Sequence, residues 1–545
     1  MTTPTPPVGS ADGAARAAAE PAGAAPPAEA PAAPTEPDGT GDRASHVHRE
    51  GALAFRNAIK LSLSLIATWS VAIVVTFKLP VYLEKALYGD YQNALAVATT
   101  AFVFVELGVD TYIQREVPVR PRHASQFFLG LGLARILVSV PLFVACALVA
   151  VHRGWATNVV AATMVFALSQ FFTAFNTTFQ KTLQAATKVD ALAIVNVATK
   201  LLFGIGTFVV IAMRVPFVLL LMPMLVSEMI KAAFLFRATK KAVDLELNLD
   251  LKETYAVMKE SLPFFVNSVA VTLGSSLDIL VLGWLVDDKA HAEAAREEVG
   301  VYAAAKQIAG LSALLSPIMG GVMIPLMRRA HARSEDEFFA ILRRVIEGVV
   351  VVALPLTLIL ALSADVALHY ALRDKYAEAA GSLRALAPTF VFAYGNVLLW
   401  LALMIMGRSW QITIVSIVGL ALLVGLTLIA VPLTRPLGLG GAGMGAGIAL
   451  STREAIIIIT FLFLIGKRAL DSRNVGAVLK SLLIAVMVTA SHIALGRVLH
   501  TWPQLVLRVG LDCAFYGVLL LGLRVVRIGD AKSVLKLIKN RRNAA

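Results

Sequence analysis

Apolar runs about twenty residues long recur along almost the whole chain, and they restrict its fold more than any other feature. One helical crossing of a bilayer needs roughly 20 apolar residues. A helix pairs all its backbone polar groups internally, which hydrocarbon requires of any spanning segment. Of the 545 residues, 58% are hydrophobic and only 16% are charged. This composition gives the chain more apolar surface than a water-soluble globule can bury. The sequence therefore predicts an all-α polytopic membrane protein.

The apolar runs predict about fourteen membrane helices. The chain before them is rich in Ala and Pro and has too few large apolar side chains to fold, which predicts a disordered tail. The predicted segments are a disordered cytosolic tail (1–52), a six-helix N-terminal lobe (53–236), a charged cytosolic linker (237–260), a six-helix C-terminal lobe (261–466), a closing helix pair (467–526) and a basic cytosolic tail (527–545). The first two spans are predicted near 59–81 and 93–113, and the eighth near 300–327.

The basic residues indicate on which side of the membrane each loop lies. Cytoplasmic loops are enriched in Lys and Arg. Here these residues are concentrated in alternate loops, such as 115–122 and 328–344, and in the C-terminal tail. The pattern predicts that both termini are cytoplasmic. Topology thus accounts for the net charge of +13, and no nucleic-acid partner is expected.

A short motif occurs once near the start of each predicted lobe. The pattern G-x-Y-x-x-A begins at Gly89, where it leads into the second predicted span, and again at Gly300 at the start of the eighth. Each copy is followed by a helix and then by a basic inner loop, starting at Arg115 and Arg328. Many transporters are built from two related halves with the substrate between them. The repeat therefore predicts two pseudo-symmetric lobes.

The sequence contains no motif typical of catalysis or metal binding. Cys146 and Cys513 lie within apolar runs, where Cys behaves as a small hydrophobic residue. We find no Gly-rich phosphate loop, no metal-ligand spacing of His or Cys and no nucleophile elbow. The sequence therefore predicts a transporter rather than an enzyme, with no catalytic residue, metal or cofactor.

Several short motifs resemble the multidrug/oligosaccharidyl-lipid/polysaccharide (MOP) exporter superfamily, specifically its Wzx-like branch of polysaccharide and O-antigen flippases. The similarity extends over roughly 53–466. The motifs that carry it are Leu79-Pro80, Leu87 to Tyr91, Glu106 to Asp110, Gln114 to Glu116, Asp278 to Gly283, Gly300 to Lys306 and Pro325 to Arg329.

The resemblance implies a protein of a bacterial inner membrane with two six-helix lobes around a central cavity. Such proteins move undecaprenyl-diphosphate-linked oligosaccharides across the membrane by alternating access, for the synthesis of surface polysaccharides such as O-antigen, lipopolysaccharide and exopolysaccharide. It also implies coupling to H⁺ or Na⁺. The expected partners are the lipid-linked substrate, membrane lipids, and polysaccharide polymerase and export proteins.

Charged residues within the predicted spans are the candidate site residues, because charge at membrane depth is costly and usually faces a polar cavity. A lipid diphosphate needs cations, with Arg suited to forked hydrogen bonds and Lys acting as a compact charge. The alternative is that they pair with carboxylates and hold helices together. If they bind substrate, replacing Arg135 or Lys306 with Ala lowers surface polysaccharide at a normal protein level. The candidate substrate-binding cations are Arg135, Lys200, Lys306, Arg453 and Lys78.

Four acidic residues are candidates for ion coupling. Glu106 and Asp110 are four residues apart, which would put both carboxylates on one face of the second helix. Two neighbouring carboxylates can share a proton in a partly desolvated site. Asp278 and Glu454 complete the set, although Asp278 also competes as a structural partner of Lys306. Arg453 and Glu454 are adjacent, so a helix would direct them apart by about 100°.

Two other functions remain open at this stage. A cation-coupled multidrug exporter of the same superfamily would have a more apolar cavity with fewer basic groups. A membrane-embedded glycan polymerase or transferase would need a large outer loop with catalytic residues, and the predicted outer loops are short.

Overall fold

The computed structural model describes residues 40–118, 120, 123–246, 248–287, 291–311, 316–496 and 502–523. Within these ranges the chain is helical apart from turns and short connections, as the apolar runs predicted. The helices are α1 (Thr40–Phe102), α2 (Val109–Glu116), α3 (Ala124–His152), α4 (Thr157–Ala185), α5 (Val189–Ala212), α6 (Met222–Ala242), α7 (Leu251–Leu285), α8 (Ala292–Gly310), α9 (Ser316–Arg333), α10 (Glu335–Leu362), α11 (Ala364–Leu372), α12 (Ala379–Leu386), α13 (Thr389–Ile405), α14 (Ser409–Thr434), α15 (Gly441–Ile465), α16 (Ser472–Leu495) and α17 (Trp502–Gly522).

Among the described residues, eleven helices are long and apolar enough to cross a membrane, or twelve if the bent pair around Glu106 counts as one more span. The difference from about fourteen has two visible sources. The first predicted span and the start of the second share the single helix α1, and the eighth contains residues 312–315, which lie outside the described ranges. The multi-pass character is confirmed, whereas the number fourteen stays a prediction.

Some predicted segment boundaries differ from the helix ends. α1 begins at Thr40, so residues 40–52 of the predicted disordered tail are helical. Most of the predicted linker is helical too, because α6 extends to Ala242 and α7 begins at Leu251. Helices continue through these charged stretches because many charged residues, such as Glu, Lys and Arg, have helix propensities close to those of apolar residues such as Leu. Residues 1–39 and the predicted basic tail lie outside the described part of the chain.

α1 changes direction at Glu84, whose backbone is not helical (φ 65°, ψ 174°). The break lies between the first two predicted spans and faces the second half of the chain. The Tyr376 hydroxyl donates a hydrogen bond to the carbonyl oxygen of Pro80 (2.9 Å), and Lys375 pairs with Glu84 (2.8 Å). Tertiary contacts from the segment before α12 therefore hold the turn.

The two copies of the G-x-Y-x-x-A motif pack directly against each other. A Cβ at Gly89 would lie 2.0 Å from the carbonyl oxygen of Arg296, four residues before Gly300. A Cβ at Gly300 would lie 2.0 Å from the carbonyl oxygen of Lys85, four residues before Gly89. These reciprocal contacts are what a two-fold relation between the motifs produces, and they explain why both copies begin with Gly.

We expect Gly300→Ala to lower the stability of the protein by about 1–3 kcal/mol, because the new methyl group meets backbone that has no free space to move into. Gly476→Ala in α16 is the matched control, since nothing lies within 4 Å of its added Cβ. Thermal unfolding of the two purified variants in detergent measures the difference. Equal melting temperatures would show that α1 and α8 do not pack this closely.

The closing pair, α16 and α17, packs on α10 of the second half. Asp471 caps α16, because its carboxylate accepts a hydrogen bond from the backbone N–H of Asn474 (2.8 Å). That bond, with a further one from the Arg343 guanidinium (3.3 Å), holds the pKa of Asp471 below its usual value. The cap fixes where the closing pair starts relative to α10, because Arg343 belongs to that helix.

Candidate substrate and ion-coupling site

Lys306 and Asp278 form an ion pair between α8 and α7. The Lys306 ammonium donates to Asp278 Oδ1 (2.7 Å) and to the Ser275 carbonyl oxygen (2.6 Å). The Tyr302 hydroxyl donates to Asp278 Oδ2 (2.5 Å), so both carboxylate oxygens of this fully buried residue are satisfied. Lys306 is 23% exposed, and its third N–H has no partner among the described residues. The lysine therefore combines a structural pair with a donor that remains accessible.

Arg453 of α15 reaches the same turn of α7. A Cβ at Gly274 would lie 3.2 Å from Arg453 Nη2, so the guanidinium packs against the backbone one residue before Ser275. Arg453 also pairs with its neighbour Glu454. The expectation that these two side chains point apart was wrong, because both are long enough to bend back and meet. Two of the predicted cations thus converge on residues 274–278.

Arg135 lies in a closed network of the first half. Its Nη1 donates to the Ala174 carbonyl oxygen (2.9 Å), and its Nη2 donates to Thr178 Oγ1 (2.7 Å) and to the Glu106 carbonyl oxygen (3.1 Å). Thr178 in turn donates to Asp110 Oδ1 (2.6 Å). Arg135 is only 1% exposed. In this conformation it fits the structural alternative better than a cavity-lining role.

Glu106 and Asp110 do not share a helical face, because the helix breaks between them. Leu107 (φ 56°) and Gly108 (φ 67°) are left-handed, and α2 begins only at Val109. Gly is required at 108, since a Cβ there would lie 2.4 Å from the backbone nitrogen of Phe265 in α7. The expected i, i+4 geometry was therefore wrong, although both residues still meet Arg135, Glu106 through its carbonyl and Asp110 across 3.9 Å.

Glu106 instead reaches from the first half of the chain to the second. Its carboxylate accepts a hydrogen bond from the Ser268 hydroxyl of α7 (2.7 Å). The same helix carries Asp278 further along. α7 therefore contacts one candidate acid near its middle and carries another.

The two remaining cations differ in their surroundings. Lys200 is partly buried on α5 and lies over the Phe203 ring (4.8 Å). Lys78 is exposed on α1, and no carboxylate within the described ranges pairs with it. Thr76, two residues earlier, accepts a hydrogen bond from Gln307 (3.3 Å), which brings this part of α1 beside the Lys306 region of α8.

The same Asn–Glu contact occurs in both halves. Asn176 of α4 donates to the carboxylate (2.7 Å) and the carbonyl oxygen (3.0 Å) of Glu228 in α6. Asn396 of α13 makes the same two contacts with Glu454 in α15. In the predicted numbering these are the fourth and sixth spans of each lobe. The contact supports the internal repeat independently of the glycine motif.

Comparison with known proteins adds the family. A family model described as "Polysaccharide biosynthesis protein" matches residues 54–331, which is just over half of the chain. The chain belongs to this polysaccharide biosynthesis family. A search of curated protein sequences finds no match.

Solved structures show that this family member has the fold of MOP exporters. It resembles the lipid II flippase MurJ in an inward closed conformation, with a TM-score of 0.65 and 13% identity over 84% of this chain and 97% of that one. It also resembles an inward-facing MATE multidrug transporter of the MOP superfamily (TM-score 0.57, 16% identity, 75% of this chain and 98% of that one). An outward-facing MATE structure matches with a TM-score of 0.51 and 18% identity, over 76% of this chain and 96% of that one. The predicted superfamily is confirmed, and the neighbours are flippases and transporters, not enzymes.

In this member of the family, several residues that position the site were not among the sequence predictions. Tyr302 and Ser268 satisfy the candidate acids, and Asn176 and Asn396 hold Glu228 and Glu454. The signal for the two Asn residues was present, since amides at membrane depth also need a partner. Ser268 had no such signal, because a hydroxyl within a helix can bond to its own backbone.

Proposed function

We propose that the protein is a flippase that moves lipid-linked oligosaccharides across a bacterial inner membrane, with both termini in the cytoplasm. The observation that carries the proposal is the convergence of Lys306 and Arg453 on one turn of α7 in a member of a polysaccharide biosynthesis family. A diphosphate linkage has oxygens that accept from Lys and Arg donors. The free N–H of Lys306 is the first of these donors that a headgroup can reach.

An apolar groove suits the lipid part of such a substrate. It has a volume of about 510 Å³ and lies between the second part of α1, α3 and α7. Trp155 and Trp284 line it at one end beside Arg153, and Leu142 and Leu280 lie further along. Trp and Arg are typical of the membrane interface, where a lipid headgroup meets its chain. α7 borders the groove and also contacts Lys306 and Arg453. One helix therefore connects the proposed sites for the lipid and for the headgroup.

Ion coupling is part of the proposal. Glu106, Asp110, Asp278 and Glu454 are the carboxylates proposed to exchange H⁺ or Na⁺ during the cycle. Glu106 is the best candidate among them. Its carboxylate accepts a hydrogen bond from Ser268 that joins the two halves of the chain, and this bond depends on the carboxylate's charge. Interaction with polysaccharide polymerase and export proteins remains an expectation from the resemblance.

The proposal predicts that the purified protein in vesicles transfers a fluorescent polyprenyl-diphosphate oligosaccharide between leaflets. Leu280→Trp, which fills the groove, is expected to slow transfer about tenfold. Leu137→Trp makes the same substitution on α3 at a side chain that is 75% exposed and outside the groove, and should leave the rate unchanged. Collapsing the proton gradient should slow transfer if H⁺ is the coupling ion.

The same vesicles distinguish the competing functions. Transport of organic cations without transfer of the lipid-linked sugar would favour the multidrug exporter that the fold also allows. Lengthening of the glycan would favour a polymerase. Equal rates for the two Trp variants would remove the groove from the lipid path while leaving the flippase function standing.

A further inference from the structure

The closing pair carries polar groups that the proposed flippase function does not use. Arg508, Asp512 and Tyr516 follow one another at four-residue spacing, which places them on one face of α17. His492 lies on the neighbouring helix α16. Charged and polar groups at membrane depth are costly, and they usually mark a functional site.

His492 and Asp512 form a buried pair. His492 Nδ1 lies 2.5 Å from Asp512 Oδ2, and the two residues are 8% and 4% exposed. The other carboxylate oxygen, Asp512 Oδ1, and the Tyr516 hydroxyl are buried without a partner in the described part of the chain. A buried polar atom without a hydrogen bond costs about 1–3 kcal/mol, so two of them together point to a bound species.

A small cavity lies beside the pair. Its volume is about 80 Å³, and Asp512, Cys513 and Tyr516 line it from α17. Apolar residues of α10, among them Pro355 and Leu358, form much of the remaining wall. A water molecule occupies about 30 Å³ and needs at least two polar partners. The cavity has room for about two waters, and Asp512 Oδ1 and the Tyr516 hydroxyl provide the partners.

We propose that His492, Asp512 and this cavity form a hydrated proton-binding site in the closing pair. One proton is shared between His492 Nδ1 and Asp512 Oδ2 and leaves through the water in the cavity. With the proton the pair has no net charge, and without it the pair carries one negative charge. The site is separate from Lys306 and Arg453, and it gives the closing pair a function of its own.

Few other charged groups face the pair. The stretch of α10 that lines the cavity, Pro355 to Leu362, contains no titratable residue. Arg508 is one turn away, but its guanidinium lies against Gly496, and within the described residues Asp512 is paired only with His492. On α11, Asp365 pairs with Arg384, and His369 pairs with Asp374. The charge of the dyad therefore depends mainly on its own proton.

A net charge in an apolar surrounding is unfavourable, so losing the proton should weaken the packing of α16 and α17 on α10. Stability from the dyad is then present at low pH and is lost as the pH rises. We expect the melting temperature of the full-length protein in detergent to fall by about 2–4 °C as the pH of the buffer is raised.

The double variant Asp512→Asn with His492→Gln keeps polar groups of similar size and leaves no titratable group in the dyad. It should melt near the wild-type temperature at low pH, where the dyad has no net charge, and lose the dependence on pH. The double variant His369→Gln with Asp374→Asn is the matched control, because it alters an exposed His–Asp pair with a 2.7 Å contact. It should keep the wild-type pH dependence. Infrared difference spectra should show a pH-dependent carboxyl band that Asp512→Asn removes.

Three results would overturn the proposal. The double amide variant could retain the full pH dependence and the carboxyl band, which would assign both to other groups. The melting temperature could rise with pH, which would mean that Arg508 and not the proton compensates Asp512. It could respond to Na⁺ at constant pH, which would make the cavity a sodium site. None of these measurements needs a transported substrate, so they are independent of the flippase proposal.

Discussion

A double variant that removes both charges of the central pair, Lys306→Met with Asp278→Asn, will remain folded but transfer lipid-linked oligosaccharide about 10- to 100-fold more slowly. The loss corresponds to one charge-assisted hydrogen bond to the headgroup, about 1.5–3 kcal/mol. Folding is retained because the amide that replaces the Asp278 carboxylate can still accept from the Tyr302 hydroxyl, and no buried charge lacks a partner. Transfer in vesicles and melting temperature are the two measurements.

Single replacements at this pair are less informative. Lys306→Ala or Lys306→Met leaves the fully buried Asp278 carboxylate without its cation, which costs about 3–5 kcal/mol and lowers the amount of protein. Lys85→Met with Glu378→Gln is the matched control, because it neutralises a more exposed Lys–Glu pair with a 2.8 Å contact. Wild-type transfer by the Lys306 and Asp278 double variant would mean that the pair is only structural.

Arg135→Met is expected to destabilise the protein by about 3–5 kcal/mol and to remove most of it from the membrane. The guanidinium is buried and bonds to two carbonyl oxygens and to Thr178, which all lose a donor in the variant. Surface polysaccharide should fall in proportion to the protein. This differs from the expectation drawn from the sequence, in which the protein level stays normal.

Immunoblots of membranes together with thermal unfolding test this prediction. Arg115→Met is the control, since Arg115 is half exposed and its pairs with Glu116 and Glu260 contribute less than about 1 kcal/mol. If the Arg135→Met protein is present in normal amount but fails to transfer substrate, Arg135 binds substrate as the sequence predicted. That result would also show that the buried network opens during transport.

The sequence alone determined the class of fold and the set of charged candidates. Long apolar runs leave the backbone only one way to cross a membrane, so the all-helical, multi-pass architecture followed directly. The motif that begins at Gly89 and Gly300 also predicted a real contact, because backbones that approach too closely for a Cβ require Gly at that position. The cost of a charge in hydrocarbon depends little on the rest of the fold, and that is why Lys306, Asp278, Arg453 and Glu454 were identified.

Only the tertiary structure decided what each charge contacts. Glu106 and Asp110 are separated by a break that α7 imposes by packing Phe265 against Gly108, a contact 157 residues away in sequence. Arg135 and Lys306 are both cations within predicted spans, yet one is enclosed and the other keeps a free donor. A helical period specifies which residues share a face, but it does not specify what packs against that face. Partners of buried charges come from distant segments, so their roles emerge only when the helices are assembled.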